Sequence, residues 1–290
     1  MKQRISYACA LLATMLICAS SSAQLRLPRP SPKATVSQTI GVTDVTVTYS
    51  RPGVKGRAIW GELVPMDKVW RTGANEATTI NFSTDVLVEG KKLSAGTYSL
   101  HTIPGKEQWT VIFNSVHDQW GSYSYEEPKD ILRVKVKPQV MTDSTELLTF
   151  EFPSVKSDSA ELALRWEKVR VPFTVQADTG AMALANARAA VAGAKPDDWR
   201  TSYQAANYSF QNAADWADAS AWLDKSIAVE QNHTNLNLKA RMLAKQGKTS
   251  EAITTAEKAI KLGQAATPKA DTAATEKLVA EWKAAGKKKK

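Results

Sequence analysis

Cysteine is nearly missing from this chain, and its two copies, Cys9 and Cys18, both sit close to the start. If that start is removed, no disulfide, thiol nucleophile or cysteine metal site remains. Histidine is also scarce, with His101, His117 and His233 in unrelated segments. No carboxylate cluster has calcium-loop spacing, so neither a metal nor another cofactor is expected. There is no Gly-x-Ser-x-Gly elbow, no supported Ser-x-x-Lys pair and no glycine-rich phosphate loop, and no catalytic residue is assigned. No apolar run reaches the roughly 20 residues a membrane span needs. His101 alternates with Leu100 and reads as a polar-face residue of a strand.

What is present begins with Met1-Lys-Gln-Arg4, an apolar run from Tyr7 to Ala19, and Ser20-Ser-Ser-Ala23 before Gln24. A positive start, a short apolar stretch and small exit residues make residues 1–23 a secretory signal peptide. Leu16-Ile17 puts bulk where a lipid-attachment motif before Cys18 needs a small residue. Export to a bacterial periplasm or beyond is the expected localisation. The formal charge of +9 then shrinks, because Lys2 and Arg4 leave with the leader and Lys287 to Lys290 supply four more, which leaves +3 on the body. That balance, with the export signal, argues against nucleic acid as a partner. The basic tail, residues 287–290, reads as a solvated end.

The body has two architectures. From Thr35 to Val175 the period is two: Val45, Val47 and Tyr49 alternate with Thr46, Thr48 and Ser50, and the same holds around Trp109 to Phe113 and Leu162 to Trp166. Further strands are expected over residues 78–82, 85–88, 97–103, 131–136, 146–152 and 169–175, with turns at Glu89-Gly90-Lys91, Ala95-Gly96, Pro104-Gly105 and Pro153-Ser154. Nine or ten short strands without a helical period predict an antiparallel β-sandwich, jelly-roll-like, over residues 24–178.

After Thr179 the chain turns alanine-rich and its period becomes 3.6, which predicts six helices within residues 179–286. Ala219, Leu223, Lys225 and Ile227 recur as Ala252, Ala256, Lys258 and Ile260. The unit from Leu238 to Leu262 resembles a tetratricopeptide repeat, although Ala256 stands where the repeat carries an aromatic residue. So few repeats barely bury their own faces, so this block is expected to pack partly on the sandwich.

Segments falling in order carry a second resemblance: Val45-Thr-Val-Thr-Tyr-Ser-Arg-Pro52, Lys55-Gly-Arg57, Val69-Trp-Arg-Thr-Gly-Ala-Asn-Glu-Ala-Thr78, Ala95-Gly-Thr-Tyr98, Ile103-Pro-Gly105, Trp109-Thr-Val-Ile-Phe-Asn114 and Gln119-Trp-Gly121. From about Pro32 to Val175 the chain resembles the family catalogued as domain of unknown function 2911. The resemblance implies an exported bacterial protein and a fold class, and it supplies no reaction.

Two irregular stretches hold the candidate ligand-binding residues. In the first, Arg51, Arg57, Trp70, Arg71, Asn75 and Glu76 are suited to grip a small anionic ligand or a sugar, with an indole as a stacking face. The structural alternative is that the arginines and Asn75 satisfy loop carbonyls and that Arg71 pairs with Glu76. In the second, Asn114, Gln119 and Trp120 lie in a run of amides and aromatics that suits a glycan, or else Trp120 plugs the core. The helical block offers Trp199, Tyr203, Tyr208, Trp216 and Trp222 to a protein or peptide partner, or to its own packing. The expected function is an exported, non-enzymatic binding or scaffold protein of the bacterial envelope. The alternatives are a hydrolase of glycan, which needs two facing carboxylates, and a purely structural domain.

Overall fold

The computed structural model describes residues 27–287, so the expected signal peptide and all but the first residue of the basic tail lie outside the described residues. Among the described residues ten antiparallel strands form two sheets. The larger contains β1 (Lys33–Ile40), β2 (Thr43–Ser50), β3 (Thr79–Phe82), β6 (Gly96–Ile103), β7 (Trp109–Asn114) and β8 (Asp130–Val136), in the order β1-β2-β3-β6-β7-β8. The smaller contains β4 (Val86–Val88), β5 (Lys91–Leu93), β9 (Gln139–Val155) and β10 (Ser159–Ala177), in the order β5-β4-β10-β9.

The period-two pattern explains this layering. Val45, Val47, Ile80, Phe82, Leu100, Val111 and Phe113 are buried in one core with Leu148, Leu162, Trp166 and Phe173 from the other sheet. Burying side chains of this size is worth roughly 1.5–3 kcal/mol each. Two expectations need correction: the turn expected at Pro153-Ser154 lies inside β9, and the strands expected over 162–166 and 169–175 are a single strand, β10, whose register against β9 shifts between Glu161 and Ala163, between Arg165 and Glu167, and again before Val169. These bulges reset the alternation, so one strand reads as two.

Between β2 and β3 the chain is irregular but pinned. Gly53 bridges Leu147, and Trp70 bridges Thr102. Thr72, 1 % exposed, has a φ of 55°. A β-branched residue disfavours that conformation, and Thr72 is held in it because its hydroxyl donates to the Trp70 carbonyl (3.2 Å) while its own carbonyl accepts from the Thr78 hydroxyl (2.8 Å).

Six helices follow: α1 (Thr179–Gly193), α2 (Trp199–Gln211), α3 (Trp216–Val229), α4 (His233–Lys245), α5 (Thr249–Ala265) and α6 (Ala273–Lys287). Asp178, Asp198, Asp215 and Asn232 each accept backbone N–H bonds at the start of α1 to α4, which satisfies donors that a helix end leaves free. The recurring positions Ala219, Leu223, Ala252 and Ala256 are fully buried, as a helical repeat requires. The helices form their own clusters, one around Leu223 and Leu238 and one around Ala240, Ala256 and Val279. The expectation that this block packs partly on the sandwich is met at α1, while the clusters themselves stay within the helices. The contact is made by the start of α1: Met182 Sδ lies 3.8 Å from the Thr43 hydroxyl of β2, and the Thr179 hydroxyl donates to the Ser157 carbonyl at 3.1 Å.

Candidate functional site

Several polar residues of the two irregular stretches are engaged by the protein itself. Arg51 donates through Nε to the Leu148 carbonyl (2.9 Å) and through Nη2 to the Thr149 hydroxyl (2.6 Å), tying the stretch to β9. Arg57 donates to the carbonyls of Val54 and Gly53. Asn114 is fully buried; its amide donates to the Glu126 carbonyl (3.0 Å) and to Asp130 Oδ1 (2.7 Å), and its Oδ1 accepts from the Val116 N–H (2.9 Å). Asn75 donates to the Ser31 carbonyl and the Ser50 hydroxyl. Trp70 is a core residue: its ring stacks on Trp166 at 5.8 Å, and its Nε1 donates to the Gly73 carbonyl. Arg57, Trp70 and Arg71 wall a hollow of about 200 Å³ at the mouth of this aromatic core.

The remaining residues come together elsewhere. Glu76 and Trp120 are partners in an isolated antiparallel bridge, which joins the two irregular stretches. Beside the bridge, the Ala77 N–H donates to the Gln119 carbonyl and the Gly121 N–H to the Asn75 carbonyl. The result is a groove of about 160 Å³ lined by Glu76, Gln119, Lys33, Thr48, Thr79, His117 and Asp118, among others. Gln119 is only 8 % exposed, and its Nε2 donates to the Val116 carbonyl while its Oε1 receives no protein hydrogen bond. Trp120, next in sequence, is 56 % exposed. It does not plug the core.

The pairing of Arg71 with Glu76 does not occur. Glu76 accepts from Arg29 Nη1 at 2.6 Å, and the Arg29 guanidinium lies 6.0 Å from the centre of the Trp120 ring. The hydrogen bond from Arg29 holds the Glu76 carboxyl below the usual carboxylate range. Arg29 was not legible as a site residue, because it lies in Leu27-Pro-Arg-Pro30 next to the expected leader and carries no motif of its own.

Arg71 instead belongs to a buried polar patch. Its Nε has no acceptor in the protein, and burial draws its pKa below the usual guanidinium value. His101, read from sequence as a polar-face residue, is fully buried with neither ring nitrogen hydrogen-bonded. It lies on the face of β6 that the segment after Asn114 covers, with its ring 5.1 Å from that of Tyr125. Burial lowers its pKa to about 4, against a partial pull upward from Asp130, while Arg71 adds to the lowering. Tyr125 donates to Asp130 Oδ2 (2.7 Å) and Arg133 donates to both. Burial first, then the bond to Asp130, raises the Tyr125 pKa to about 12.

Chemically the groove offers hydroxyls, one amide acceptor, carboxylates and cations, and the exposed Trp120 is joined to it through its bridge partner Glu76. That set matches a hydroxyl-bearing ligand better than a simple anion, because Glu76 and Asp118 share the groove with Lys33 and His117. Among the described residues no group of three or more His, Cys, Asp or Glu side chains is placed to hold a metal ion, and no helix is long and apolar enough to cross a membrane.

No curated protein and no solved structure matches the chain. A family profile described as "Protein of unknown function (DUF2911)" matches residues 31–175, which contain both irregular stretches and all but the last two residues of β10. With half of its length matched in one continuous segment, the chain belongs to the DUF2911 family.

Proposed function

We propose that the protein is an exported, non-enzymatic binding protein of the bacterial envelope, whose sandwich holds a glycan in the groove between Glu76 and Trp120. The bridge between these two residues carries the reading, because it joins Trp120, whose indole is exposed, to Glu76, which lines a polar groove. An indole face covers the C–H side of a sugar while amide and hydroxyl groups take its oxygens. The leader read in the sequence supports export, and the helical repeat resemblance supports a scaffold that docks a protein or peptide partner.

The hydrolase alternative finds no general acid in Glu76. A general acid needs a raised carboxyl pKa, and Glu76 is shifted the opposite way by Arg29. Probing a glycan array with the purified protein and with Trp120→Ala tests the proposal. Binding by the parent and its loss in a variant of unchanged melting temperature is expected. Turnover of a glycan that Glu76→Gln abolishes contradicts it.

A further inference from the structure

The outer face of the larger sheet leads into the same groove. Along one row across the strands Thr35 stands opposite Thr48, and Thr48 opposite Thr79. The neighbouring row runs Ser37, Thr46, Asn81, Thr97. The residues alternating with these point inward: Val45, Val47, Ile80 and Phe82 are buried in the core. Neither row contains a charged side chain; Lys33 and Asp44 stand only at the ends of their strands. Edge strands such as β1 are commonly protected from association by charged side chains, lysine above all, and β1 carries only Lys33 at its start. Here the face is a neutral grid of hydroxyls and one amide, spaced about 4.8 Å between strands and about 6.8 Å along them.

The rows are ordered by their own hydrogen bonds. Thr35 and Thr48 hydroxyls lie 3.2 Å apart, Ser37 and Thr46 hydroxyls 2.7 Å, and Asn81 Nδ2 donates to the Thr97 hydroxyl at 2.8 Å. A hydroxyl that takes part in one such bond retains capacity for another, so the grid faces outward with fixed, unspent donors and acceptors. Thr48 and Thr79 also belong to the wall of the groove, where the buried Gln119 keeps Oε1 without a donor and Trp120 stands exposed beside it.

We infer that this grid is the track of an extended neutral glycan, which enters the Glu76–Trp120 groove by one end and crosses β3, β2 and β1 with its remaining sugars. The inference rests on the groove's being a sugar site and adds the ligand's length and charge class. A neutral polymer exchanges water for matched hydroxyls on this face, whereas a polyanion finds no cation within the rows to offset its desolvation.

Titration calorimetry with linear neutral β-glucan oligosaccharides of increasing length tests it, with polygalacturonate as the acidic comparison. Affinity is expected to rise by about tenfold or more from the shortest to the longest oligomer. The doubly substituted Ser37→Lys, Thr46→Lys protein is expected to bind the shortest oligomer as the parent does and to lose the gain with length. Trp120→Ala is expected to abolish binding of every length. Affinity independent of length, or a row variant that keeps the gain, overturns the track and leaves the groove standing. Absence of binding at any length overturns the groove and the track together. Polygalacturonate binding as tight as the longest neutral oligomer overturns the charge class. Melting curves of all variants separate misfolding from lost contacts.

Discussion

Arg29 donates to Glu76 at 2.6 Å while its guanidinium stands 6.0 Å from the ring centre of Trp120, so one cation from the segment before β1 meets both partners of the bridge. Both partners of the ion pair are partly exposed, and exposed pairs contribute only about 0.2–1 kcal/mol. The arrangement therefore orients a site more than it stabilises a fold.

Glu76→Gln is accordingly expected to lower stability by no more than about 1 kcal/mol in chemical denaturation. The sign of its pH dependence follows from the lowered carboxyl pKa: the contribution is present above the unfolded value of 4.5 and fades as pH falls through the folded one. A loss of several kcal/mol at neutral pH contradicts an orienting role.

Trp120→Ala is expected to leave the melting temperature nearly unchanged, since the side chain is largely exposed. Trp166→Ala is the contrasting case. Trp166 is 1 % exposed and packs against Trp60 and Trp70, so its truncation is expected to cost about 3–5 kcal/mol. Thermal melts of the two variants side by side check both.

His101 makes stability depend on pH. In the fold it stays neutral down to about pH 4, whereas in the unfolded chain it protonates near 6.5. Below 6.5 the unfolded state therefore binds more protons, and its stability relative to the fold improves until about pH 4. The protein is expected to lose up to about 3 kcal/mol across that window. His101→Phe is expected to flatten the curve there, read by urea denaturation at stepped pH. An unchanged slope in that variant places the pH dependence on other groups.

Asn232 accepts from the Thr234 and Asn235 N–H groups, and Asn235 Oδ1 accepts in return from the Asn232 N–H. This reciprocal cap starts α4, and Asn232→Ala is expected to destabilise the helical region by about 1 kcal/mol. Far-UV circular dichroism during urea unfolding reads the loss.

The alternation around Val45 to Tyr49 and the shift to a helical period after Thr179 made both architectures legible, because each follows from a local spacing. β10 was split in the reading because its bulges break that spacing. The candidate site was legible in its parts and not in its assembly. Glu76, Gln119 and Trp120 stood out by composition, yet their meeting depends on a long-range bridge that no local pattern encodes. The pairing of Glu76 was misassigned to Arg71 for the same reason: Arg71 is close in sequence, and the actual partner, Arg29, is brought in by the chain before β1. Period-two alternation puts His101 on the outer face correctly, and only its burial was not legible, because the covering of that face comes from a distant segment.

The central claim is that Glu76 and Trp120 frame a sugar site. Two-dimensional amide and indole NMR of the isotopically labelled protein, titrated with a linear neutral β-glucan oligosaccharide, tests it most directly. The account predicts saturable shifts centred on the Trp120 indole and the amides of Glu76, Ala77 and Gln119, spreading to Thr48 and Thr79. Shifts confined to residues remote from this groove, or no shifts at saturating sugar, contradict it.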